Sequence, residues 1–128
     1  MMHSQFIRFA VAGAIGFVVD AGVLYLALAA GLGPFAGRAV SFLAAVWTTW
    51  QINRRYTFRE RIQRSPWAEW CRYLLSMLTG ASVNYAVYAL VIVTAPHLAW
   101  TPVVGVACGS VAGMFVNFFA AKFWAFRP

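Results

Sequence analysis

Four long apolar runs dominate the chain, and short breaks separate them. The runs cover residues 6–30, 35–52, 73–95 and 103–121. A helix needs about 20 apolar residues to cross the hydrocarbon core of a bilayer, and each run has roughly that length. The pattern therefore predicts an all-α, polytopic membrane protein with four transmembrane helices, embedded in the lipid bilayer.

Two of the three breaks are short and carry turn-forming residues. Gly31, Gly33 and Pro34 follow the first run, and a proline stands at each end of residues 96–102, between the third and fourth runs. Short turns of this kind join antiparallel neighbours. We therefore expect the first run to pair with the second and the third with the fourth, as two helical hairpins.

The two hairpins are predicted to occupy about residues 5–58 and 69–126 of a single domain, residues 1–128. A polar loop, residues 54–72, joins them and carries six arginines and two glutamates. Nine of the ten lysines and arginines lie on the side of this loop and of the termini, and Arg38 is the exception. By the positive-inside rule that side faces the cytoplasm, so both termini are expected to be cytoplasmic, in the inner membrane.

The composition supports a membrane location. The chain of 128 residues is 62% hydrophobic and only 10% charged, with a mean hydropathy of +0.71. A soluble core of this size could not bury so much apolar surface. The net charge of +7 would favour nucleic acid in a soluble protein, but here the cations lie where membrane topology places them. We therefore predict no nucleic-acid binding.

The second half of the sequence repeats the first. An offset of 64 residues places Arg8 on Arg72 and Asp20 on Asn84, and an offset of 68 places Arg54 on Lys122. The hairpins are therefore predicted to be copies. Because each begins and ends on the cytoplasmic side, we expect parallel repeats related by a pseudo-two-fold axis along the membrane normal.

Small residues recur every four positions in the second helix of each predicted hairpin. They are Gly37, Ser41, Ala45, Thr49 and Asn53, with the counterparts Gly105, Gly109, Gly113, Asn117 and Ala121. Small residues at this spacing let helix backbones approach closely in lipid. A packing seam is the favoured interpretation and a ligand groove the alternative. Asn117 could contribute to a packing seam and to a ligand groove.

Four polar residues lie inside the predicted membrane segments: Asp20, Arg38, Asn84 and Asn117. Asp20 is 12 residues from Arg8, about 18 Å along a helix, so an unpaired carboxylate there would be costly. Arg38 could reach it. One hypothesis is a structural ion pair between the first two helices. The other is a polar ligand site, one per chain, because Asn84 and Val106 replace the charged pair in the second copy.

Cationic and polar side chains from both halves are expected at one interface, and they could bind a lipid phosphate. They are Arg8, Asn53, Arg54, Arg55, Arg72 and Lys122. Arginine offers forked donors that match phosphate oxygens, and basic pockets between helices bind anionic headgroups. The alternative is that this cluster only obeys the positive-inside rule.

The sequence offers no catalytic signature. No nucleophile and base pair, metal-ligand set, carboxylate dyad or glycine-rich phosphate loop occurs outside the apolar runs. We therefore expect no enzyme activity, no catalytic residue, no metal and no cofactor. Cys71 and Cys108 are expected to be packing residues, since two cysteines form no disulfide framework here.

Several segments together resemble the GtrA-like family. These are residues 6–9 (FIRF), Gly13, Gly16, Asp20, residues 53–58 (NRRYTF) and residues 122–126 (KFWAF). The resemblance covers nearly the whole chain, and the NRRYTF ending is its most specific part. It implies a small inner-membrane protein of cell-surface polysaccharide synthesis that moves polyprenyl-phosphate-linked sugars between leaflets. A related region anchors some polyprenyl-phosphate mannose synthases, so a glycosyltransferase partner is implied as a separate protein.

Three functions remain open at this stage. The first is translocation of a polyprenyl-phosphate sugar, in which the basic cluster captures the phosphate. The second is a scaffold that recruits or anchors a glycosyltransferase through residues 59–69. The third is proton-coupled export of cations with Asp20 as the proton carrier, which a neighbouring Arg38 disfavours. The sequence also leaves open a homo-oligomer.

Overall fold

The computed structural model describes residues 2–59 and 65–127, and helices account for nearly all of them. No strand occurs in these two ranges. The helices are α1 (Met2–Ala29), α2 (Pro34–Ile52), α3 (Pro66–Thr94) and α4 (Thr101–Ala120). α2 continues into a first π-helical turn, Asn53–Thr57, and α4 continues into a second, Ala121–Ala125. The all-α prediction is confirmed.

Three segments are long and apolar enough to cross a membrane: Met2–Ala29, Pro66–Thr94 and Val104–Ala125. The chain is therefore a multi-pass membrane protein. α2 does not belong to this set because Arg38, Ser41 and several threonines and tryptophans lower its hydropathy. That α2 also spans the bilayer stays a prediction.

Helical structure extends into both ends of the predicted loop. The first π-turn (Asn53–Thr57) continues α2, and the Phe58 N–H donates to the Asn53 carbonyl at 2.7 Å. α3 begins at Pro66, which suits the first helical turn because proline lacks the N–H that would be unpaired there. The predicted loop at residues 54–72 is therefore shorter in the structure. Arg61 and Arg64 lie outside the described residues.

The first hairpin unit consists of α1, α2 and the first π-turn. Gly31 closes its turn with φ +96°, a left-handed backbone that glycine adopts without strain. α1 and α2 then run antiparallel, with Gly16 facing Thr49 and with Leu24 lying against Gly37. At the other end Phe9 contacts Phe58, their ring centroids 6.2 Å apart.

The second hairpin unit, built from α3, α4 and the second π-turn (Ala121–Ala125), repeats these contacts. Gly80 faces Asn117, as Gly16 faces Thr49. Tyr73 packs on Phe126 with ring centroids 5.7 Å apart, as Phe9 packs on Phe58. In each of these contacts the residues on α1 and α3 are 64 positions apart, and their partners in the second helix or its π-turn are 68 positions apart. Each hairpin thus has the register that the repeat predicts.

The small-residue stripe forms the seam inside each hairpin. Its glycine and alanine members are buried, and so are Ser41 and Asn53, while Thr49 and Asn117 are half-buried. A Cβ on Gly113 would lie 2.8 Å from the Gly80 carbonyl oxygen. The backbones of α3 and α4 therefore approach too closely there for any side chain on Gly113, which supports the packing-seam interpretation.

We expect Gly113→Ala to destabilise the second hairpin, because the new methyl group must push two backbones apart. Overpacking of this kind costs about 1–3 kcal/mol. Gly13→Ala is the matched control, since a Cβ there meets nothing within 4 Å. Unfolding in mixed detergent micelles, followed by circular dichroism, measures both variants. Equal stability of the two would show that the close approach is not required.

Candidate functional site

Arg8 is tied to the end of the first hairpin through a backbone carbonyl. Its Nη1 donates to the Tyr56 oxygen at 3.1 Å. That carbonyl lies in the last helical turn, where no further residue of the helix can donate to it. A cation there also interacts favourably with the negative end of the helix dipole. Arg8 therefore secures the first π-turn while its side chain remains exposed.

Arg54 lies over an aromatic ring one turn earlier in the same helix. Its guanidinium carbon is 5.4 Å from the centre of the Trp50 ring, and Trp50 itself is buried. The negative face of the ring attracts a cation in this position and so helps to hold the guanidinium there. Arg55 and Arg59 follow, and both are exposed. This end of the first hairpin therefore presents several cations to its surroundings.

The second hairpin has the same arrangement with a different cation. Lys122 Nζ lies 5.9 Å from the Phe118 ring and 5.5 Å from the Phe123 ring. Trp50 and Phe118 are repeat counterparts, as are Arg54 and Lys122. Each hairpin thus places a cation over an aromatic ring four residues earlier, at the start of its π-turn. This pairing was not predicted from the sequence, although both cations and both rings are related by the 68-residue offset.

Arg72 is the counterpart of Arg8, but its surroundings differ. It is half-buried, and its Nε is a buried donor without a hydrogen-bond acceptor in the described part of the chain. A buried donor without an acceptor is costly. An anion that reached Arg72 would supply the missing acceptor.

Asn53 lies inside the first hairpin, with only 1% of its surface exposed. Its Oδ1 accepts a hydrogen bond from the Thr57 hydroxyl at 2.8 Å, across the first π-turn. In the second copy Ala121 and Ala125 replace this polar pair. The placement gives Asn53 a structural contact, and its predicted role in phosphate binding stays a prediction.

Glu69 also departs from the expectation of an exposed loop. It lies in the first turn of α3 and is 1% exposed. A buried carboxylate at a helix N-terminus is favoured by the helix dipole. Glu69 therefore belongs to the packed part of the second unit and cannot contribute to a docking surface.

An ion pair lies between α1 and α2, as one of the two sequence hypotheses predicted. Arg38 Nη1 contacts Asp20 Oδ1, and the same nitrogen lies 3.5 Å from the Ser41 hydroxyl oxygen. That hydroxyl donates to the Arg38 carbonyl at 3.0 Å. The Asp20 side chain is 17% exposed and the Arg38 side chain 57%. The pair ties the first two helices together.

The second hairpin holds two carboxamides instead of the ion pair. Asn84 lies against Gly109 and Gly113, and Asn117 lies against Gly80. The Asn117 Oδ1 is buried without a hydrogen-bond partner among the described residues. The Asp20–Arg38 pair has no charged equivalent at the matching positions of the second copy, where Asn84 and Val106 stand, as the sequence asymmetry predicted.

Within the described ranges, no group of three His, Cys, Asp or Glu side chains is close enough together to hold a metal ion. Cys71 and Cys108 are free thiols. The chemically distinctive parts of the chain are therefore the cation and aromatic pairs and the Asp20–Arg38 pair.

A family model described as GtrA/DPMS, transmembrane domain, matches residues 8–127. The chain belongs to this family. The match confirms the family resemblance and places this GtrA/DPMS domain among membrane proteins of glycan synthesis. It begins at Arg8 and ends at Arg127, so it includes both hairpins of the domain. No curated protein matches the chain.

In this GtrA/DPMS domain we expect Thr57→Ala to lower stability by about 1–3 kcal/mol, because it removes a donor from the buried Asn53 oxygen. Thr79→Ala is the control, since the Thr79 hydroxyl donates to the Leu75 carbonyl on an exposed surface. Thermal unfolding in detergent compares them. The prediction is wrong if Thr57→Ala unfolds at the same temperature as Thr79→Ala.

Proposed function

We propose that this GtrA/DPMS domain moves a polyprenyl-phosphate-linked sugar across the inner membrane for synthesis of a cell-surface polysaccharide or glycan. The family match supports the setting, and the fixed cations at the hairpin ends support the phosphate chemistry. In this proposal the domain itself is not an enzyme, and a separate glycosyltransferase makes or uses the lipid-linked sugar.

The proposal includes four membrane spans with cytoplasmic termini, arranged as parallel repeats. α2 has 19 residues, about 28 Å of helix, which is close to the thickness of the hydrocarbon core. It packs antiparallel along α1, which is itself long enough to cross. Arg8, Arg54 and Arg55 lie at the same end of this hairpin, so the positive-inside rule orients it.

The observation that carries the proposal is the placement of Arg54 over Trp50 with Arg55 exposed beside it. Stacking holds the Arg54 guanidinium in place before any ligand arrives, which reduces the entropy lost on binding. The planar fork of a guanidinium matches two oxygens of a phosphate. Lys122 over Phe118 offers a second fixed cation, which acts as a point charge.

A route for the sugar follows from the polar groups inside the hairpins. Two helices cannot enclose a channel, so the sugar moves along a groove open to lipid or between protomers. In the first hairpin the exposed part of Arg38 offers polar contacts, and in the second the half-buried Asn84 and Asn117 do so. Exposed side chains such as Phe17 provide an apolar surface for the polyprenyl chain.

Arg55→Ala and Arg54→Ala test phosphate capture. Delivery of the sugar to the opposite leaflet should fall by about ten- to a hundredfold, since a hydrogen bond to a charged group contributes about 1.5–3 kcal/mol. The assay follows a fluorescent polyprenyl-phosphate hexose in liposomes and quenches the dye in one leaflet. Arg127→Ala, which removes an exposed cation from the second hairpin, should keep full transfer. Unchanged transfer by the Arg54 and Arg55 variants at normal expression would refute capture there.

A scaffold that recruits or anchors a glycosyltransferase is the second candidate, and the exposed ring of Trp67 favours it. Trp67 is 72% exposed in the first turn of α3, and Arg59 is exposed at the other end of the connection. Residues 60–64 of the predicted docking surface lie outside the described residues.

An assay without any partner protein distinguishes the two functions. Transfer of the fluorescent lipid by the purified domain alone supports translocation. If the domain transfers nothing but co-purifies with a glycosyltransferase, the scaffold is supported. In that case Trp67→Ala should reduce co-purification severalfold, whereas Trp124→Ala, at a half-exposed ring of the second π-turn, should not.

A further inference from the structure

Arg38 uses only part of its hydrogen-bonding capacity. Its Nη1 contacts Asp20 and Ser41, while Nε and Nη2 donate to no described residue. The side chain is 57% exposed even though it belongs to a helix of a membrane protein. Unpaired N–H groups are costly next to hydrocarbon, so an acceptor from outside the described chain would stabilise this side chain.

The position of Arg38 limits what that acceptor can be. It lies four residues after Pro34, the first residue of α2, so it is about 6 Å from the turn end of the first hairpin. Arginine at such a depth commonly extends towards the headgroups. Here Asp20 and Ser41 hold Nη1 inside the hairpin instead, and the exposed part of the guanidinium is within reach of the interface.

The geometry points to Arg38 as a second phosphate-binding residue, at the opposite end of the first hairpin from Arg54 and Arg55. It binds the phosphate of a lipid through its Nε and Nη2 edge while Asp20 holds Nη1. This inference rests on the proposed function, because it gives the translocated lipid a phosphate site at each leaflet. Sixteen residues separate Arg38 from Arg54, about 24 Å of helix.

The chemistry of the site favours phosphate over sugar. Nε and Nη2 form a planar fork that two anionic oxygens of a phosphate match, whereas sugar hydroxyls form weaker neutral bonds with it. The carboxylate that would otherwise accept from a sugar, Asp20, is already engaged and only 17% exposed. The second hairpin has Val106 and Gly109 in place of Arg38 and Ser41, so the site occurs once in the repeat.

Nitrogen-15 NMR of the arginine side chains tests this site. The labelled full chain in maltoside micelles is titrated with farnesyl phosphate, and Arg38→Lys, Arg54→Lys and Arg55→Lys identify the three Nε signals. We expect a saturable shift of the Arg38 signal, no shift with farnesol, and no shift with inorganic phosphate at the same concentrations. Equal affinity for inorganic phosphate would overturn the assignment to a lipid.

The same titration separates this inference from the proposed function. If the Arg54 and Arg55 signals shift and the Arg38 signal does not, the second site is refuted and phosphate capture at the first site is supported. If the Arg38 signal shifts and the Arg54 and Arg55 signals do not, the second site is supported and phosphate capture at the first site is contradicted. If none of the three moves, both ideas fail.

Asp20→Asn provides an independent measurement. Because it removes a negative charge that repels the phosphate, the Kd reported by Arg38 should decrease about two- to fivefold, the range that partly exposed ion pairs support. The Kd reported by Arg54 should not change. Weaker binding at Arg38 would contradict the inference. Should this variant misfold, as circular dichroism would reveal, the wild-type titration alone decides.

Discussion

Close approach of helix backbones is the constraint on which each hairpin depends. Helices in lipid gain little from the hydrophobic effect when they associate, so van der Waals contact must hold them together. Gly16 in the first hairpin and Gly80, Gly109 and Gly113 in the second leave no space for side chains at the crossings. Once these contacts fix the register, the other interactions follow from it. Arg8 then donates to the Tyr56 carbonyl. Phe9 packs on Phe58 in the first hairpin, and Tyr73 packs on Phe126 in the second.

The two copies agree where residues pack and differ where residues are polar. The aromatic pairs, the glycine contacts and both π-turns recur at constant offsets. The Asp20–Arg38 pair and the Asn53–Thr57 hydrogen bond have no counterparts, because Asn84, Val106 and two alanines occupy the equivalent positions. The two copies thus share the architecture of the hairpin, whereas the Asp20–Arg38 ion pair belongs to the first copy.

The sequence predicted the helices and their pairing, because apolar length, turn residues and repeat offsets determine them, and it offered the Asp20–Arg38 ion pair as one of two hypotheses. It did not predict the π-turns. A run such as NRRYT looks like a loop when only hydropathy is considered, since the hydrogen bond that makes it helical joins backbone atoms. For the same reason the contact of Arg8 with the Tyr56 carbonyl left no signal in the residue types. The burial of Glu69 was missed because charged residues are usually exposed.

The turn of Gly31 differs in length from its counterpart in the second hairpin. The offset between the copies grows from 64 residues before the turn to 68 after it, so all the extra chain was inserted at this end. Two of the four extra residues lie in the turn itself, and the adjoining ends of α3 and α4 are each one residue longer than those of α1 and α2. The hairpin therefore tolerates length variation where its helices reverse direction. Its opposite end, where both copies close with a π-turn of five residues, has kept one length.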